Sequence, residues 1–225
     1  MILNKTLGLV CLDTIWYDKT IFAINKTLEC AEIDKIFWFS DIPLNYDFNV
    51  DVVWTKIPKL EKETFLYNNG LIYTKLMPSI VDTDFAMYIH SDGFAVNKNS
   101  WDNRFLEYDY IGAPWPFHNE KYNVGNGGFC LKSKKLHEAI LKLDILEDLY
   151  YDYPEDNIIC RLYRKKLEEE FGINFAPEEL ACKFSMECFF DYPKQDYNYW
   201  VGKSFGFHNI NVCEFYGYNF KDLKG

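Results

Sequence analysis

The sequence holds no C-x-x-C pair, no G-x-S-x-G, no Walker A loop and no dinucleotide fingerprint. Each absence removes a chemistry: disulfide scaffolds and zinc ribbons, serine hydrolases, P-loop nucleotide hydrolases and nicotinamide dehydrogenases all lack a starting residue. No apolar run is long enough to cross a bilayer, so no membrane span is expected. Glycine and proline are scarce, at 12 and 8 residues, and no polar tract interrupts the chain, which excludes collagen-like and disordered classes. Positive charge is also short: 24 Lys and Arg face 34 Asp and Glu, for a net charge of -10. So acidic a chain repels phosphate backbones and anionic lipid headgroups, and nucleic acid is not an expected partner.

What is present suits one domain spanning 1–225, because 225 residues with 48% hydrophobic positions can bury a sizeable core. Seven cysteines occur, an odd number without clustering. Cys11, Cys130 and Cys160 lie inside apolar runs, where a thiol acts as a small buried hydrophobe, and that usage leads to the expectation of a reducing, cytoplasmic setting. The run Leu7 to Leu12 has neither a basic leader nor a cleavage site, so no secretory signal is expected. Cys182, Cys188, Cys213 and His208 offer zinc-binding atoms in no recognisable ligand spacing.

Short apolar runs alternate with amphipathic stretches in the first half, the pattern of a mostly parallel α/β sheet. Leu7 to Leu12, Ile36 to Phe39, Val50 to Thr55 and Phe85 to Ile89 read as strands. Tyr17, Ile21, Ile24 and Leu28 share a helix face, as do Phe65, Asn69, Ile72, Leu76 and Ile80, with regular helix expected to fail at Pro78. Later strands are expected at Tyr108 to Gly112 and Gly128 to Lys132, with 125–128 as a turn between them. Ser133 is placed to cap a helix, and another runs from Pro154 until Gly172 stops it. The tail from Tyr197 reads as loops and short strands.

In a parallel sheet, ligands gather outside the carboxyl ends of the strands, and His90-Ser91-Asp92 stands at such an end. Thr74-Lys75-Leu76 followed by Asp92 resembles the stretch that carries the Asp-x-Asp motif in nucleotide-sugar glycosyltransferases of the GT-A fold. His90 stands where the first Asp of that motif would be. With Tyr110-Ile111-Gly112-Ala113-Pro114-Trp115, Gly125 to Phe129 and Phe205-Gly206-Phe207-His208-Asn209, the chain resembles an uncharacterised branch of that superfamily, a domain of unknown function. The resemblance implies a GT-A-type, Rossmann-like single domain, with helices flanking a mostly parallel sheet and a smaller antiparallel part.

The resemblance further implies transfer of a sugar from a nucleotide-sugar donor, a UDP-sugar first among them, to a hydroxyl of a glycan or glycoconjugate. Asp92 and His208 would hold Mn2+ or Mg2+ at the diphosphate, with Lys75 and Lys203 as further phosphate partners. Asp13 and Thr14, closing the first strand, and Ser91 would meet the nucleoside. Inverting transfer needs a carboxylate base, assigned to Asp156 beside Glu155. Two acidic residues after a proline are also what a helix start favours, and the dipole there would keep Asp156 ionised. Gly127 and Gly128 would offer backbone N–H groups to sugar hydroxyls, and Trp101, Trp115, Phe117 and Trp200 are rings able to stack on a sugar, although core packing accounts for most such rings. The alternative is a non-catalytic nucleotide- or carbohydrate-binding module on the same fold, suggested by His90 in place of the first Asp.

Overall fold

A computed structural model describes residues 5–116, 121–188 and 202–224. The chain opens with strand β1 (Leu7–Leu12), helix α1 (Tyr17–Cys30), β2 (Lys35–Ser40) and β3 (Asp51–Lys56). A three-part helix follows: α2 (Phe65–Leu71), a π-helical turn (Ile72–Leu76) and α3 (Met77–Ile80). Next come β4 (Phe85–Ile89), β5 (Tyr110–Ile111), β6 (Ala113–Pro114), β7 (Val124–Gly125), β8 (Phe129–Ser133) and α4 (Lys134–Leu141). The remainder is helical with two short strands: α5 (Leu149–Asp152), α6 (Glu155–Asn157), a second π-turn (Ile158–Leu162), α7 (Arg164–Phe171), α8 (Glu178–Phe184), β9 (Ser185–Met186), β10 (Gly206–Phe207) and α9 (Ile210–Phe215).

The expected α/β architecture is present. The central sheet has the order β3-β2-β1-β4-β8-β5; its first four strands are parallel, and β8 runs antiparallel to both β4 and β5. β1 and β4 are apolar throughout because both sheet faces are covered. β6 and β7 form a small antiparallel pair, and β9 and β10 a small parallel one. Among the described residues no helix is long and apolar enough to cross a membrane.

Several local expectations need correction. Regular helix fails just before Pro78, in the π-turn, and Pro78 sits in the first turn of α3. A proline ring clashes with the carbonyl four residues back, and widening the preceding turn relieves it. The extra residue widens the buried face, so Tyr73, Thr74 and Met77 are buried while Leu76 and Ile80 pack half-buried against the core and Phe65 is exposed. The turn at 125–128 is not a simple link between two strands, since Val124–Gly125 pairs with Ala113–Pro114. The tail contains α9, whose start is capped by the Asn209 side chain accepting from Asn211 N, in addition to a short strand. Much of the aromatic content is core: Phe129 stacks on Phe184 with centroids 4.9 Å apart, and Trp101 packs on Phe105 and Phe205. Phe117 and Trp200 lie outside the described residues.

Candidate active site

Cys11 pairs with Ile89 across β1 and β4, so the segments leaving these two strands, 13–16 and 90–92, lie side by side where the strand order reverses. Such a switch point is where ligands enter an open α/β sheet. His90 and Gly93 exchange backbone hydrogen bonds of 3.0 and 3.1 Å, folding 90–93 into a tight turn. β10 delivers His208 to the same place: its amide donates to the Met186 carbonyl at 2.9 Å, and the Asn209 amide donates to the Asp92 carbonyl at 3.0 Å. Asn209 takes φ 99°, a left-handed conformation rare outside glycine, directly beside this junction.

One nitrogen or oxygen from each of His90, Asp92 and His208 lies within 4.8 Å of the others. His208 Nε2 stands 3.6 Å from Asp92 Oδ1, too long for a hydrogen bond. Two atoms bound tetrahedrally to one ion at about 2.1 Å sit about 3.4 Å apart, so the spacing and the donor types fit a divalent cation. On its other side His208 Nδ1 is buried without a hydrogen-bond partner, 3.5 Å from Glu187 Oε1. Burial, helped by the charges of His208 and Lys132 and opposed by Asp92, pushes the His90 pKa down to about 4, which keeps the ring neutral as a metal ligand must be. For His208, burial pulls the pKa down, but Glu187 and Asp92 outweigh it and the net shift is upward.

Two carboxylates face this cluster. Glu155 is buried at the start of α6, and Asn69 Nδ2 donates to its Oε2 at 3.4 Å. Asp156 accepts from Gly127 N at 3.2 Å and from Asn157 N at 2.7 Å. Burial first, then the Asp156 charge, raise the Glu155 carboxyl to about 7, with Lys132 pulling the other way. Asp156 is also raised, by burial and then Glu187, against its two backbone hydrogen bonds.

Two hollows meet here. A cavity of about 110 Å³ is lined by 12–16, Leu60, Phe65, Asn69 and 90–92. An open cleft of about 480 Å³ is lined by Phe65, Trp115, Gly127, Gly128, Glu155, Asp156, Glu187 and His208 among others. Both include Phe65, Asn69 and His90, so the cluster sits at their junction.

Ser91, Asp92, His208, Glu155, Asp156, Gly127, Gly128 and Trp115 are thus brought together around the two hollows. Others are already engaged. Asp13 Oδ1 accepts from Ile15 N and Trp16 N and its Oδ2 from Thr20 Oγ1, so its carboxylate shapes the loop lining the cavity. Thr14 Oγ1 accepts from Leu60 N. Lys75 Nζ donates to the Leu143 carbonyl at 3.1 Å and lines neither hollow. Lys203 lies by a separate hollow with Asn97 and Ser100 and likewise lines neither. The Gly127 and Gly128 N–H groups go to Asp156 Oδ2 and Asn126 Oδ1, so they are not open to a sugar. These glycines are needed for space: a Cβ would lie 1.8 Å from Glu155 Oε1 at Gly127 and 2.1 Å from His208 Nε2 at Gly128. Trp115 packs on Gly125, with Arg161 over its ring at 5.5 Å.

Sequence reasoning missed His90 as part of the cluster, together with Glu187, Asn69 and Tyr73. His90 and Asp92 are two apart at a strand end, a spacing that places side chains on one face and offered a signal. Glu187 offered none, since only the β9–β10 pairing brings it beside His208.

No curated protein matches the chain. Among solved structures it is similar to a glycosyltransferase involved in glycosylation of the major capsid of PBCV-1, at 12% identity and TM-score 0.52, covering 90% of this chain and 93% of that one. It is similar to the glycosyltransferase GlyE of Streptococcus pneumoniae, at 17% identity and TM-score 0.55, where 90% of this chain spans only 54% of that chain. Mouse xyloside xylosyltransferase 1 aligns at 12% identity and TM-score 0.52, over 92% of this chain and 99% of that one. At these identities the likeness establishes the fold, which is GT-A-like. The family described as Protein of unknown function (DUF5672) matches residues 45–208, and the chain belongs to that family.

Proposed function

We propose that the chain transfers a sugar from a nucleotide-sugar donor, a UDP-sugar first among them, to a hydroxyl of a glycan or glycoconjugate. The observation that carries this reading is the placement of the His90, Asp92 and His208 cluster between a small cavity and a carboxylate-lined cleft. The nucleoside would occupy the cavity beside 12–16, and the acceptor the cleft. A divalent ion held by Asp92 and His208, with His90, would offset the diphosphate charge in an otherwise acidic protein. Glu187 supports His208 from behind.

In the transfer, the acceptor oxygen attacks the anomeric carbon, and the bond from that carbon to the diphosphate oxygen breaks with its electron pair going to the diphosphate. The acceptor proton passes to Asp156, whose carboxylate lines the cleft and is held by Gly127 N–H. Glu155, deeper and raised to about 7, tunes the charge of the pair. One displacement on this plan inverts the anomeric centre. Seven unpaired thiols support the proposal of a reducing, cytoplasmic setting.

The test is a panel of nucleotide sugars assayed for transfer and hydrolysis, alongside thermal shifts with the matching nucleotides. Asp156→Asn is expected to lower kcat by about 10²- to 10⁴-fold while nucleotide-induced stabilisation persists, and the product anomer read by NMR should be inverted. Nucleotide binding without turnover of any donor by the unaltered protein would instead establish a non-catalytic binding module.

A further inference from the structure

A cation site built from two carboxylates and one histidine presents mostly hard oxygen and two negative charges. Here the three side chains supply two imidazole nitrogens and a single carboxylate. Imidazole suits Fe2+, Co2+, Ni2+ and Zn2+, whereas Mg2+ selects oxygen ligands and dehydrates reluctantly. The orientation of His90 is also fixed. The hydroxyl of Tyr73, a side chain buried by the π-turn, lies 2.7 Å from His90 Nε2. With Nε2 engaged, Nδ1 is the nitrogen left for an ion, and a ligating histidine commonly donates its other N–H to a second group that sets its tautomer.

Building on the cation site of the proposed transferase, we propose that this chain selects a transition ion of the Fe2+ to Zn2+ group over Mg2+ through His90 Nδ1, Asp92 and His208, and that Tyr73 is the positioning residue that orients His90. The identity of residue 90 then decides the metal, and Tyr73 decides how tightly it is held.

The experiment uses the chelator-stripped protein without any nucleotide. Calorimetric titration with Co2+ and with Mg2+ should give Co2+ at least about 100-fold the tighter. Because most sites favour Co2+ to some degree, the deciding quantity is the change in that ratio: His90→Asp should narrow it by about tenfold or more. Tyr73→Phe should weaken Co2+ by about 10- to 100-fold, with Mg2+ following in proportion, since it alters the orientation of a ligand and not its type. Nitrogen-15 NMR of histidine-labelled wild-type protein with Zn2+ reads the site without any variant: only four histidines are present, and His90 should show a metallated Nδ1 and a protonated Nε2.

An unchanged Co2+ to Mg2+ ratio in a folded His90→Asp protein, a His90 resonance unaffected by Zn2+ or metallated at Nε2, or no binding of either ion overturns the proposal. Failure here is separable from failure of the transferase reading. Sugar transfer by a protein whose Co2+ to Mg2+ ratio is unchanged by His90→Asp leaves that reading standing and removes this one, whereas the expected metal ratios in a protein that turns over no nucleotide sugar do the reverse.

Discussion

Gly128 illustrates how tightly single residues set the candidate site. A methyl group there would fall 2.1 Å from His208 Nε2, so the ring must move, and moving it pulls one of the three side chains out of the cluster. Gly128→Ala is therefore expected to cost about 1–3 kcal/mol in urea unfolding and to weaken Co2+ by about tenfold or more in the same titration. Loss of stability with unchanged Co2+ affinity would show that His208 does not ligate. Both glycines were legible in the sequence as places of close approach, and the side chains that fill the space beside them are those of Glu155 and His208. A single chain shows that a Cβ is missing, not which side chain fills the space. Asp13 teaches the same lesson, because its three hydrogen bonds go to the loop and helix that follow it.

At the scale of elements, strands and helix starts followed from local rules, and where long-range contacts intervene those rules fail. Ser133 is an N-cap as its position predicts, accepting from Leu136 N at 3.0 Å. It also donates to Asp109 Oδ1 at 2.7 Å, a residue before β5 that further accepts from Lys135 and from Asn174 N. Ser133→Ala thus removes a cap and unties one of Asp109's three partners, and a loss of about 1–2 kcal/mol is expected by chemical denaturation, with Ser133→Thr close to the parent. Asp109 could not have been found from the sequence, since its partners lie 24 to 65 positions away. The helix from Phe65 to Ile80 shows the opposite case. Its periodicity and its proline were both visible, yet the place where the turn widens was not, and that shift of one residue is what turns Tyr73 toward His90.

For the whole molecule, acid stability should reflect buried groups pulling in opposite directions. His137, packed on Tyr88 and near Lys132, is held down to about 3 by burial and then by the Lys132 charge. An ordinary unfolded histidine takes up its proton near pH 6.5, so between that value and about 3 the unfolded chain binds more protons, and stability is lost as pH falls, by up to about 1.4 kcal/mol per unit. Glu155 has the reverse sign: raised to about 7 when folded, it already holds its proton while the unfolded carboxyl does not, so its contribution grows as pH falls from 7 toward 4.5. Unfolding in urea at several pH values should show His137→Gln flattening the acid loss and Glu155→Gln steepening it; parallel profiles would refute this assignment. Composition, periodicity and strand-end position determined the α/β class, the parallel strands and the neighbourhood of Asp92, because burial and backbone geometry act over a few residues at a time. Only tertiary structure decided that Tyr73, Glu187 and His208 meet His90 and Asp92 there, that Lys75 and Lys203 lie elsewhere, and that Glu155 is raised by burial, because these depend on distances and desolvation that arise when segments from 17 to more than a hundred positions apart are packed together.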